Sequence, residues 1–175
     1  MKVKDVMTVD PAAIWITDSL AHAAKSMWEN DCGILPVIKD ARKVVGVITD
    51  RDICMATAVR DRPESTISVE EAMSRKVFSV KPDADVHAAL QLMQEHRVRR
   101  LPVLNKEGEL NGMLSMNDIV LKAQETNGKL PALTFHDVVR TYKAICEHPV
   151  PMVAKATAGR GIIRRNHAEP VFLFD

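Results

Sequence analysis

The chain has 175 residues, enough for one or two small domains, and its 46% hydrophobic content supports a real core although only 4% is aromatic. A net charge of +1 gives no global surface for nucleic acid or membrane, and no apolar run approaches the ~18 residues of a membrane span. Cys32, Cys54 and Cys146 form no C-x-x-C pair and the N-terminus lacks a signal-peptide core, so no zinc or disulfide framework is indicated and a reducing cytoplasm is the expected setting.

In chain order, Val3 to Met7 reads as a short apolar helical turn, and the segment around Ala13, Ile14 and Trp15 as extended. Asp18 or Ser19 caps a helix whose stripe is Leu20, Ala23, Ala24 and Met27. A strand over Ile34 to Ile38, a turn over Lys39 to Arg42 and a strand over Val44 to Thr49 follow, and a helix with Ile53, Met55 and Ala56 closes the unit. The same order then returns. Ser68-x-x-Glu71 caps a restart, Val77 to Val80 is extended, and Asp83 or Asp85 caps a helix with Val86, Ala89, Leu90 and Met93. Strands over Leu101 to Leu104 and Leu110 to Ser115 flank a turn, and a helix closes.

An offset of 66 superimposes residues 3–53 on 69–119 without a gap, with identities that include Met7/Met73, Leu35/Leu101, Pro36/Pro102, Gly46/Gly112 and Asp52/Asp118. One supersecondary unit of this size cannot bury its apolar face alone, whereas two packed copies can. The sequence thus divides into a first unit at 1–60, a linker at 61–67, a second unit at 68–124, and a tail at 125–175 with one amphipathic helix.

The chemistry-bearing stretch is Gly46-Val47-Ile48-Thr49-Asp50-Arg51-Asp52, repeated as Gly112-Met113-Leu114-Ser115-Met116-Asn117-Asp118. A glycine lets a ligand or a neighbouring backbone approach closely. A hydroxyl at a helix start sits beside unpaired N–H groups that favour anions. A carboxylate three residues on shares its helix face and can accept two hydrogen bonds from a diol such as ribose. Thr-x-x-Asp is equally an ordinary capping box, which only starts a helix.

The doubled unit, with Leu-Pro-Val before each hairpin and Gly-x-x-Thr/Ser-x-x-Asp after it, resembles a tandem pair of cystathionine-β-synthase (CBS) domains, a Bateman module, over about residues 1–124. The resemblance implies an α+β fold in which two units pack about a pseudo-two-fold axis. It also implies a regulatory role without catalysis. The clefts between such units would bind AMP, ADP, ATP, S-adenosylmethionine or NAD as a regulatory ligand, with no required cofactor. Carried over, Thr49 and Asp52 would hold one ribose with Ala13, Ile14 and Pro36 nearby, and Ser115 and Asp118 another with Phe78, Ser79 and Pro102. The copies differ in charge. Arg51 offers a phosphate donor where the second copy has Asn117, and Arg99 and Arg100 stand where the first has Gly33 and Ile34.

In the tail, Thr134-x-x-Asp137 starts a helix with Phe135, Val138, Val139, Tyr142 and Ile145 on one stripe, and His148-Pro149 stops it. Residues 126–175 carry seven Lys/Arg against four Asp/Glu, net +3, while the first 125 residues are net −2; the basic end includes Arg160, Arg164 and Arg165, and apolar Val171 to Phe174 closes it. The six histidines make no metal-binding pair, and no P-loop, nucleophile elbow or dinucleotide fingerprint is present. The leading expectation is a nucleotide-sensing regulator that passes a conformational change to an effector protein and forms a homodimer. The alternatives are a ligand-free dimerisation scaffold acting through the tail, and an enzyme or nucleic-acid binder using the basic tail.

Overall fold

A computed structural model describes residues 1–125 and 131–147. The fold is α+β, with two small sheets and flanking helices arranged as two repeated units. The first sheet orders β2 (Ile14–Trp15), β3 (Ile34–Lys39) and β4 (Lys43–Thr49); the second orders β1 (Thr8–Val9), β6 (Leu110–Ser115) and β5 (Arg100–Leu104). Each Leu-Pro-Val strand is paired antiparallel to the strand carrying the glycine, with Val37 opposite Gly46 and Val103 opposite Gly112. Apolar residues occur in runs on these central strands because helices and the facing unit cover both surfaces.

The helices are α1 (Leu20–Glu29), α2 (Asp50–Arg60), α3 (Val69–Ala72), α4 (Val86–His96), α5 (Met116–Lys122) and α6 (Phe135–Cys146). Of the two candidate caps for each long helix, Ser19 starts α1 by accepting from the His22 N–H, and Asp85 starts α4 by accepting from the His87 N–H. Asp18 instead accepts from the Trp15 N–H. Val77 to Val80 pairs only through Val80, which bridges to Val103.

The lead segments of the two units change places in space. β1 lies against β6 of the second sheet, and Val3 and Val6 join the second core with Val86, Leu90, Leu101 and Leu114. The Val3 N–H donates to the Ala84 carbonyl and the Val86 N–H to the Met1 carbonyl. Conversely, Ile67, Val69 and Met73 join the first core with Leu20, Leu35 and Ile48, and the Val69 N–H donates to the Asp18 carbonyl. The two repeat glycines serve this exchange. A Cβ on Gly112 would stand 2.6 Å from Met7 Sδ and 2.8 Å from the Thr8 carbonyl, and one on Gly46 2.7 Å from both Met73 Sδ and the Ser74 carbonyl. The close neighbour that the glycines admit is backbone.

Helix α6 packs on α4 and α5 of the second unit. Its buried face is Val138, Thr141 and Ile145, with Tyr142 half-buried. Phe135 and Val139, expected on that stripe, point to solvent at 47% and 66% exposure, because one narrow face is all that the underlying helices contact. Gln94 Nε2 donates to Thr141 Oγ1 at 2.8 Å, so the buried hydroxyl is satisfied. The sequence signals at Asn127-Gly128, His148-Pro149, Arg160, Arg164-Arg165 and Val171 to Phe174 lie outside the described residues.

Candidate functional site

Both repeat junctions fold as reciprocal capping boxes. Ser115 Oγ accepts from the Asp118 N–H at 3.2 Å, while Asp118 Oδ2 accepts from the Ser115 N–H at 2.8 Å and from Ser115 Oγ at 2.6 Å. Thr49 and Asp52 reproduce that geometry, with Asp52 Oδ2 accepting at 2.8 Å from both the Thr49 N–H and Thr49 Oγ1. So do Thr134 and Asp137 at the start of α6. The box alone therefore starts a helix and marks no site. What surrounds it decides.

Around Ser115 and Asp118 there is an open cleft of about 380 Å³, within the range of small-molecule sites. Arg100, Met113, Ser115, Asn117 and Asp118 form the second unit's wall. Thr8, Asp10, Pro11, Ala12, Asn30, Asp31, Cys32 and Ile34 form the other. The β1–β6 pairing aligns Thr8 with Met113, and Thr8 Oγ1 lies 3.3 Å from Asp118 Oδ1. Asp118 thus keeps one oxygen for its cap and turns the other toward the cleft wall. Behind Ser115, a polar cavity of about 60 Å³ is bordered by Arg99, Arg100, Asn117 and Tyr142 of α6.

Thr49 and Asp52 sit differently. Both are 5% exposed, and burial pushes the Asp52 carboxyl above its ordinary range, against hydrogen bonds from Thr49 that lower it. Among the described residues no buried side-chain nitrogen or oxygen lacks a partner, so this box is closed on itself. Arg51 beside it is exposed.

The structure groups the sequence-derived site residues in its own way. Ser115, Asp118 and Arg100 meet in the cleft, but their companions from the extended segments are Pro11 and Ala12, not Phe78 and Ser79. Phe78 stacks on His96 with ring centroids 3.7 Å apart and Lys76 Nζ 5.0 Å over its face. Ile14 is a core residue at 2% exposure, Pro36 and Pro102 are buried in their strands, and neither they nor Ala13 line the cleft. The exchange of lead segments is the reason: residues preceding the first repeat are delivered to the second repeat's junction. The sequence reading passed over Thr8, Asp10, Asn30 and Asp31. The Met7/Met73 identity was the one signal that the lead segments meet the glycine strands. Among the described residues, no group of three or more His, Cys, Asp or Glu could hold a metal ion.

Comparison with known proteins fits this arrangement. The CBS domain model matches residues 3–58 and 69–125, most of the chain. The chain belongs to the CBS domain family. It is 36% identical over 124 residues to the uncharacterised protein YlbB of Bacillus subtilis, covering 70% of this chain and 82% of that one. Among solved structures, a CBS domain pair, protein MJ0100 in complex with 5′-methylthioadenosine and S-adenosyl-L-methionine, aligns with a TM-score of 0.62 and 25% identity, covering 69% of this chain and 98% of that one. CBSX2 in complex with AMP aligns with a TM-score of 0.60 and 26% identity, covering 69% of this chain and 93% of that one. The tandem CBS pair is thus the architecture of this chain, and CBS-pair neighbours bind adenosine-containing ligands.

Proposed function

We propose that this CBS pair is a regulatory sensor, without catalytic activity, that binds an adenosine-containing small molecule in the cleft at Ser115 and Asp118. The observation that carries the reading is the open cleft between the units with a hydroxyl–carboxylate pair on its wall. Asp118 Oδ1 is placed to accept from a ribose hydroxyl, Pro11, Ala12 and Ile34 give the apolar surface a purine needs, and Arg100 stands at the rim. The Thr49–Asp52 junction is a second position of the same kind that must open before a ligand enters.

A ligand in the cleft touches both units, so it favours whichever separation closes around it; its regulatory effect is limited by that difference in affinity. Tyr142 shares the cavity behind Ser115, which makes α6 the element best placed to carry the change to an effector protein through exposed Phe135 and Val139. Among the described residues, the α1–α2 face of the first unit has no counterpart of α6 upon it, and it exposes Trp28 at 87% and Val59 at 75%. It is the surface on which a second copy would form a homodimer.

Calorimetric titration with AMP, ADP, ATP, NAD and S-adenosylmethionine tests the reading. At least one should bind with one strong site per chain, and Asp118→Ala should weaken it by about 1.5–3 kcal/mol, roughly 10- to 150-fold, the scale of a charged hydrogen bond. Absence of binding by all five would leave only a scaffold role.

A further inference from the structure

The two repeats differ in charge at matching positions around their junctions. Around Ser115 and Asp118, the wall supplied by the first unit bears Asp10 and Asp31. With Asp118 that makes three carboxylates, set against Arg100 in the wall and Arg42, which pairs with Asp10 at 3.1 Å on its outer side. The 66-residue offset keeps the carboxylate of Asp118 as Asp52 but changes the matching residues of the other repeat elsewhere: Lys76 for Asp10, Arg97 for Asp31, His96 for Asn30 and Arg51 for Asn117. There, Phe78 and His96, at the positions of Ala12 and Asn30, are stacked on one another. At these four positions the open cleft is acidic or neutral and the other repeat basic, while Arg100 stays in the cleft wall and Asp50 and Asp52 stand at the Thr49 junction.

We infer that the open Ser115–Asp118 cleft selects adenosine derivatives that carry no phosphate, neutral or cationic at the 5′ position, and disfavours nucleotides. This rests on the sensor reading above: the cleft and the Ser115–Asp118 pair define the site, and the carboxylates only set which ligand it accepts. A 5′-phosphate brings about two negative charges to a cleft lined by three carboxylates and Arg100, with Arg99 bordering the smaller cavity behind Ser115. A sulfonium or ammonium group at the same place meets Asp10 and Asp31 instead. At the distances of a cleft of this size in partly exposed surroundings, such a difference amounts to about fivefold to tenfold in affinity at low salt, and shrinks as salt rises.

The test is a charge series on one nucleoside: 5′-methylthioadenosine, S-adenosylmethionine and AMP, titrated into the full chain at low and at physiological salt. S-adenosylmethionine should bind at least about fivefold more tightly than AMP, with 5′-methylthioadenosine between them, and the spread should narrow with salt. Asp118→Ala should weaken every ligand that occupies this cleft by roughly 10- to 150-fold. The double variant Asp10→Asn, Asp31→Asn should collapse the spread by raising AMP affinity and lowering that of the sulfonium. Asn suits both positions because their φ values are 48° and 47°, in the left-handed region that Asn tolerates, so the fold should persist. If AMP binds in the Asp118-dependent site as tightly as S-adenosylmethionine, or the double variant leaves the spread unchanged, the charge selection is wrong although the sensor reading stands. If no member of the series binds, the sensor reading fails and takes this inference with it.

Discussion

Gly112→Ala should loosen the module at the point where its two units are tied together. The added Cβ would meet Met7 Sδ at 2.6 Å and the Thr8 carbonyl at 2.8 Å. The methionine can swing away, but the carbonyl belongs to β1, whose residues Thr8 and Val9 are in register with Met113 and Gly112. Relief requires β1 to retreat from β6, and overpacking of that kind costs about 1–3 kcal/mol. Alanine recovers roughly 0.5–1 kcal/mol of the entropy penalty of a strand glycine. The net expectation is a loss centred on about 1.3 kcal/mol and at most about 2.5 kcal/mol, a fall in melting temperature of roughly 3–5 °C at the centre for a chain of this size. Because β1 also brings Thr8 to Asp118, ligand affinity should fall with it. Gly108→Ala is the control. Its φ of 82° makes alanine strained, but nothing lies within 4 Å of the new Cβ, so stability alone should change. Urea unfolding and calorimetric titration of both variants separate the effects. A Gly112→Ala protein as stable as wild type would refute the close-approach argument, and one that is destabilised yet binds normally would detach β1 from the site.

Asp137→Ala removes a capping box of the same geometry as that of Asp118, so both variants should lose about 1 kcal/mol of stability, but only Asp118→Ala should lose ligand affinity; equal losses of affinity would mean that binding senses only global stability. The buried Asp52 holds its proton more tightly folded than unfolded, so it favours folding below the usual carboxylate range and that contribution is lost as pH rises through its elevated folded value. Wild type should therefore lose stability relative to Asp52→Asn as pH rises above about 4 in urea titrations, and a difference of the opposite sign would show that the Thr49 hydrogen bonds outweigh burial. Sedimentation velocity should show a homodimer that Trp28→Glu converts to monomer; a monomeric wild type at micromolar concentration would remove the first unit's helix face as an interface.

The repeat, its strands and its caps were legible because each rests on local chemistry: short apolar runs bounded by turns, Ser and Asp at helix starts, and a glycine before a hydroxyl. Ser115 and Asp118 were legible as a pair for the same reason. Their partners were not. Pro11 and Ala12 reach Ser115 across more than a hundred residues of chain, and assigning each extended segment to its own repeat is the natural reading when only sequence distance is visible. The identical spacing at Thr49 and Ser115 likewise suggested like sites. Thr49 and Asp52 are nonetheless buried while Ser115 and Asp118 line an open cleft, and the repeat positions of Ala12 and Asn30 are taken by a stacked Phe78 and His96, a difference in side-chain volume that no motif records. The tail helix was found through Thr134 and Asp137, but its seat on α4 depends on the narrow Val138–Thr141–Ile145 face, which the broader apolar pattern obscured.

The exchanged lead segments make association between the units a question of mass action. A unit produced alone would present an empty groove beside its glycine strand and carry an apolar lead segment with nowhere to dock. Two such chains could complete each other only as a swapped dimer, populated according to concentration. Joining them through a short connection makes that exchange intramolecular, with an effective concentration in the millimolar range for a short flexible linker. Cutting the chain near Asp61 should return the problem to its bimolecular form. The two fragments would then need one another at a measurable dissociation constant, and a ligand held between them would act as a molecular glue whose strength could be read directly from that constant.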